Sequence, residues 1–224
     1  MRPFTVAVMQ PYFVPYLGYF RLFAESDLFV IYDCVQFPRR GWVHRNQPLD
    51  ATGRPRWLTL PLQSGARDML IRDLRFTEKA GETFAARLRA FQTDPREPDA
   101  AAPVLAALHD IGGRPVDYIE RLLRRVADYL DLPWNTVRST SLGIAPDLRG
   151  QDRIIAIARQ LGAGRYLNAP GGRDLYDHAA FAKSGITLDF LPDYRGPSMS
   201  VLSRIVGEKR RDLAREVRES FSPS

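Results

Sequence analysis

Short apolar runs and helically spaced apolar stripes alternate along this chain from end to end. Phe4–Met9 and Leu28–Tyr32 read as strands, with a helix over about Leu17–Glu25 between them. Trp57–Leu62 reads as a third strand, apolar on both faces, as in a sheet covered on both sides. Ile71–Phe76 fits a short edge strand, and Glu78–Thr93 a polar helix. The acidic, proline-containing stretch Asp94–Ala102 reads as a loop, and Val104–Asp110 as a short helix stopped by Gly112-Gly113. Pro115–Leu132 is the clearest helix. Val116, Ile119, Leu122, Leu123, Val126 and Leu130 share one face, and Pro115 suits the first turn. Thr136–Thr140 is strand-like. Asp152–Leu161 is amphipathic, with Gly162 as its C-cap. A strand opens at Tyr166-Leu167, Tyr176–Lys183 is helical, Ile186–Leu191 is the last strand, and a basic helix over about Val206–Ser220 follows.

This alternation predicts an α/β fold, a mainly parallel Rossmann-like sheet with helices on both faces. It predicts one domain over residues 1–224, with a more helical, variable segment around 78–132. Sheets of this kind bind ligands at the carboxyl ends of their strands, beside the point where strand order reverses. Three expected strand ends carry chemistry. After the first come Gln10, Tyr12, Tyr16, Gly18 and Tyr19; after the second come Asp33, Gln36, Arg40, Trp42, His44, Arg45 and Asn46. Asn168, Gly171, Gly172 and Arg173 follow the strand at Tyr166.

Composition narrows the classes. A chain of 224 residues builds a core without disulfides or metal, and the single cysteine, Cys34, excludes an internal disulfide and a cysteine-rich zinc site. No apolar stretch is long enough to span a membrane. Met1-Arg2-Pro3 runs straight into a strand, so no signal peptide is expected and the expected compartment is the cytoplasm. The net charge of +6 comes from arginines spread along the chain and interleaved with acids, a pattern of solvated helix faces more than of a nucleic-acid surface. The three histidines, His44, His109 and His178, show no metal-ligand spacing.

Each candidate has a defined chemistry. Asp33 suits ribose hydroxyls, an amine or Mg²⁺, or equally a turn cap. Arg39, Arg40 and Arg45 carry forks that match phosphate or carboxylate, and Trp42 offers a stacking face. His44 beside them is a candidate general base. Gly18 permits close backbone approach at a helix start, and Asn168 with Gly171-Gly172-Arg173 fits either an anion nest or a plain turn.

The strings Met9–Phe20, Val30–Gln36, Arg40–Asn46, Trp57–Pro61 and Tyr166–Asn168, with Gly171-Gly172 and Tyr176, resemble the WbqC-like family, whose members are often encoded among surface-polysaccharide genes. The resemblance implies aminoacyl (glycine) transfer to an aminosugar, on a small-molecule amine or nucleotide-sugar substrate. The residues allow carboxylate adenylation with ATP and Mg²⁺, using Asp33, Arg40, Arg45 and Arg173; they equally allow a preactivated donor such as aminoacyl-tRNA or a thioester, or a non-catalytic accessory role. Two positions depart from the family pattern. Cys34 stands where a second Asp is usual, and Ser203 takes the Asp place of a Ser-x-x-Asp arrangement. Tyr16-Leu17-Gly18-Tyr19 is similar in position to the HxGH motif of adenylyl-transferring α/β proteins, with tyrosines for both histidines.

Overall fold

A computed structural model describes residues 2–91 and 93–219. The first strand, β1 (Thr5–Met9), leads through an aromatic turn into a 3-10 turn at Leu17–Phe20 and helix α1 (Arg21–Glu25), then β2 (Leu28–Ile31). Residues 32–135 follow as a long excursion. It holds a small ladder of β3 (Arg45–Asn46) and β4 (Leu58–Thr59), then α2 (Ala80–Leu88), α3 (Pro98–His109) and α4 (Pro115–Tyr129). The chain returns as β5 (Thr136–Arg138), α5 (Gly150–Gln160), β6 (Arg165–Asn168), α6 (His178–Lys183) and β7 (Thr187–Phe190), and ends in α7 (Val201–Gly207) and α8 (Arg210–Glu219).

The five long-range strands form one parallel sheet in the order β5-β2-β1-β6-β7. Period-two alternation sorts its side chains. Val6, Val8, Val30, Tyr166 and Leu188 face Ile154, Ile157 and Phe181. Ala7, Phe29, Ile31 and Leu167 face the larger cluster under α1, α3, α4, α7 and α8. Phe23 is stacked between Phe29 at 4.0 Å and Trp134 at 5.3 Å. Each such fully buried ring contributes about 2–3 kcal/mol. Because β2 and β6 flank β1 on opposite sides, strand order reverses at β1 and opens a crevice between the ends of β1 and β6.

Three expectations are corrected. Trp57–Leu62 is not a sheet strand buried on both faces: Leu58 and Leu60 are buried, while Trp57 is 44% exposed. Leu58–Thr59 pairs antiparallel with Arg45–Asn46, and Leu62 makes a single antiparallel bridge to Phe76. Pro55 and Pro61 flank the segment and offer no N–H, so the ladder stays short. Ile71–Phe76 holds a 3-10 turn at Ile71–Asp73 in place of an edge strand. The loop expected over Asp94–Ala102 becomes α3 from Pro98, which occupies the first turn. Among the remaining differences, α2 stops at Leu88, and the single helix expected from about Val206 is two, an unexpected α7 at Val201–Gly207 and α8 from Arg210. The expected helix end at Ser220 lies outside the described residues.

Candidate functional site

A cleft of about 990 Å³ occupies the crevice at the reversal point. Gln10 and Tyr12 reach it from the end of β1, Asn168 and Gly171-Gly172 from the end of β6, and Trp42, Asn46 and Gln47 from the start of the excursion. All of these but Gln47 were expected at strand ends from the sequence, and the fold brings them together.

The aromatic turn that supplies Tyr12, Pro15, Tyr16 and Tyr19 to the wall is held under strain. Val14 has φ 38°, a left-handed conformation that a β-branched residue adopts only when its surroundings impose it. Asn46 imposes it from one side: its Nδ2 donates to the Phe13 carbonyl at 3.0 Å and the Val14 carbonyl at 2.9 Å. Ser200 imposes it from the other, donating from Oγ to the Val14 carbonyl at 2.7 Å. The Phe13 N–H donates to the Trp42 carbonyl at 2.9 Å, and Tyr19 Oη donates to the Gln10 carbonyl at 2.9 Å. Asn46 is thus a clamp that also borders the cleft.

Gly18 is needed for packing. A Cβ there would lie 2.3 Å from the Tyr16 ring and 2.8 Å from Tyr194, so glycine lets the two rings, 5.5 Å apart, close on the turn. Tyr194 is anchored in turn by Glu216 and the buried Arg204, whose Nη2 donates to Glu216 at 2.7 Å and Glu208 at 2.8 Å. That network is more than the solvated helix face expected of Glu208–Glu219.

Among the described residues, no aspartate, glutamate, lysine, arginine or histidine lines the cleft. Its polar groups are the amides of Gln10, Asn46, Gln47 and Asn168, the Ser198 hydroxyl and the phenols of Tyr12, Tyr16, Tyr19, Tyr32 and Tyr176. Burial raises the pKa of Tyr12 and Tyr16, holds that of Tyr19 well above its ordinary value, and pushes Tyr32 up to about 12. These four stay protonated near neutral pH; Tyr19 spends its O–H on the Gln10 carbonyl, and Tyr12, Tyr16 and Tyr32 keep phenol donors at the cleft. No protein group among the described residues takes the Gln10 side chain. Trp42, 43% exposed, stands at the rim with its ring 5.6 Å from Trp57.

Other expected site residues lie elsewhere, and this changes their reading. Asp33 is 1% exposed and faces away from the cleft. Its carboxylate accepts from Ser139 Oγ at 3.0 Å, the Thr140 N–H at 3.0 Å and Thr140 Oγ1 at 2.9 Å, tying the end of β2 to the turn after β5. Arg45 donates to the Arg40 carbonyl at 2.9 Å and lies over the Trp57 ring at 4.3 Å; Arg40 itself is exposed. Arg173 is turned to Asp193 and the Leu191 carbonyl. Gln36 is exposed and donates to the Arg67 carbonyl at 2.8 Å. His44 faces a different cleft.

ATP and Mg²⁺ would need the Asp33 carboxylate and the forks of Arg40, Arg45 and Arg173 to converge. Asp33 is already saturated, the arginines point outside the cleft, and no three carboxylate, histidine or cysteine side chains cluster among the described residues. These residues do not fit that pair, and no step is derived through it. Neither Cys34 nor Ser203, the two departures from the family pattern, lines the cleft. The Cys34 N–H donates to Ser139 at 3.2 Å. Ser203 accepts from the Leu49 N–H at 2.7 Å, three residues after Ser200 caps α7.

Sequence reasoning missed Tyr32, Gln47, Ile154, Tyr176 and the Pro197–Met199 wall. The strand-end rule, applied to the segment after β7, points to the last of these.

The WbqC-like protein family matches residues 10–199, a span that takes in every described cleft residue except Val8 and Met9. The chain belongs to the WbqC-like protein family. It is similar to the uncharacterized protein Rv1507c of Mycobacterium tuberculosis, at 28% identity over 96% of this chain and 99% of the relative. No solved structure matches it. No helix among the described residues is long and apolar enough to cross a membrane.

Proposed function

We propose that this WbqC-like protein binds a sugar-sized amine, free or nucleotide-linked, in the cleft between β1 and β6 and transfers an aminoacyl or acyl group to it. The observation that carries this reading is the lining itself: uncharged amides and protonated phenols, with Trp42 at the rim. Sugars present many hydroxyls and apolar C–H faces, which such a set meets with hydrogen bonds and stacking. About 990 Å³ lies at the upper end of ligand pockets, with room for a nucleotide as well.

In the transfer, the amine nitrogen attacks the acyl carbon, the bond from that carbon to its carrier breaks, and the amine proton leaves with the carrier. The cleft contributes positioning, and phenol and amide donors near the carbonyl oxygen support its developing charge. Absence of a lining cation favours a donor that arrives already activated, an aminoacyl ester or thioester, over adenylation within the cleft.

The test offers the purified protein a panel of nucleotide-linked aminosugars. The donors are glycyl-tRNA, an acyl thioester, or glycine with ATP, and the products are read by mass spectrometry. An acylated sugar with an activated donor supports the proposal. Isotopic ATP–pyrophosphate exchange would move the mechanism to adenylation. Sugar binding without transfer would make the protein an accessory factor, and no binding would end the reading.

A further inference from the structure

The segment Trp42–Asn46 is a wall with two sides. Trp42 and Asn46 face the first cleft, while His44, between them, faces a second one of about 510 Å³. The second cleft is walled by Thr59–Ala66, Thr77 and Thr83, and two arginines enter it, Arg39 and Arg87. No aspartate or glutamate lines it among the described residues.

Both arginines are held by carbonyls and carry no counter-ion among the described residues. Arg39 Nη2 donates to the Gly65 carbonyl and to the Ala66 carbonyl at 3.0 Å, and Arg87 Nη1 donates to the Thr59 carbonyl. The opposite Nη of each has no protein acceptor. His44 Nδ1 is buried without a partner. A proton on Nε2 leaves only a lone pair to bury there and makes the imidazole a neutral donor. The hydroxyls of Ser64, Thr59, Thr77 and Thr83 add donors.

Exposed guanidinium groups, each tied to backbone carbonyls and set among hydroxyls with no carboxylate in the described lining, suit an oxyanion. We propose that the second cleft binds the phosphate or carboxylate group of a second ligand, held between Arg39 and Arg87. This inference stands apart from the reading of the first cleft.

The test is calorimetric titration of the full chain at low ionic strength with inorganic pyrophosphate, inorganic phosphate and acetate. Saturable binding is expected. The Arg39→Gln/Arg87→Gln double variant should weaken it at least about tenfold. Arg124→Gln, which removes one positive charge from the exposed face of α4 where the double variant removes two, should shift it less than about twofold. Preference for the phosphates identifies a phosphate ester as the natural group, and preference for acetate a carboxylate. Thermal melts check that the double variant is folded. No saturable heat with any probe overturns the proposal. So does undiminished binding in a folded double variant, or an equal loss in Arg124→Gln.

Discussion

Two clefts share the Trp42–Asn46 wall, and they differ in charge. The first, at the reversal point of the sheet, is built from amides and phenols and has no charged side chain in its described lining. The second, outside the sheet, holds two arginines and a histidine. Trp42, His44 and Asn46 are alternate residues that a regular strand would turn to one face; the bends at residues 41–44, before β3 begins, let His44 face the other cleft. A dense basic and aromatic run read as one site divides into a stacking rim on one side and an anion-binding surface on the other.

That division can be broken most strongly at Asp33. If it belongs to neither cleft, Asp33→Ala strands three donors and lowers stability by about 3 kcal/mol, while Asp33→Asn keeps sugar binding within about threefold. Urea denaturation and a binding titration decide this; loss of binding in a folded Asp33→Asn protein would return the carboxylate to the site. Next comes the clamp. Asn46→Ala leaves the Phe13 carbonyl without its side-chain donor and the Val14 carbonyl with Ser200 alone, and should cost about 2 kcal/mol, roughly 4–8 °C in Tm. A change of less than about 1 °C would mean that Ser200 alone holds the turn.

Trp42→Ala should weaken a first-cleft ligand about tenfold and hardly alter Tm, because the ring is half exposed and sits at the rim. Equal affinity in wild type and variant would remove Trp42 from the site. The smallest effect concerns His44, whose pKa is lowered to about 4, first by burial and then by Arg45. The folded pKa lies below the unfolded one, so the unfolded chain takes up the proton first. Stability should fall as pH drops from about 6.5 towards about 4, and His44→Gln should flatten that slope. Urea midpoints across this range measure it. Identical slopes would show that His44 is not desolvated against the second cleft.

Much of the architecture was legible from local pattern. β1, β2, α4, α5 and β6 follow from apolar periodicity, because their packing depends on which face each residue presents. Strand-end clustering identified Gln10, Tyr12, Tyr16, Asn168, Gly171 and Gly172 for the same reason, since a parallel sheet puts all its carboxyl ends on one edge. The short ladder at Leu58–Thr59 escaped this reasoning because an apolar run does not say which strand will pair with it.

The sequence by itself determined the kind of sheet, the edge at which its ligand groups gather and the family of the chain. Only the tertiary structure decided how those groups are used. Asp33 and Asn46 are polar residues at strand ends like the others, and nothing local separates a ligand-binding carboxylate or amide from one consumed by hydrogen bonds to distant backbone. That choice depends on partners far along the chain, Ser139 and Thr140 for one, Phe13 and Val14 for the other, which meet them only once the sheet has formed.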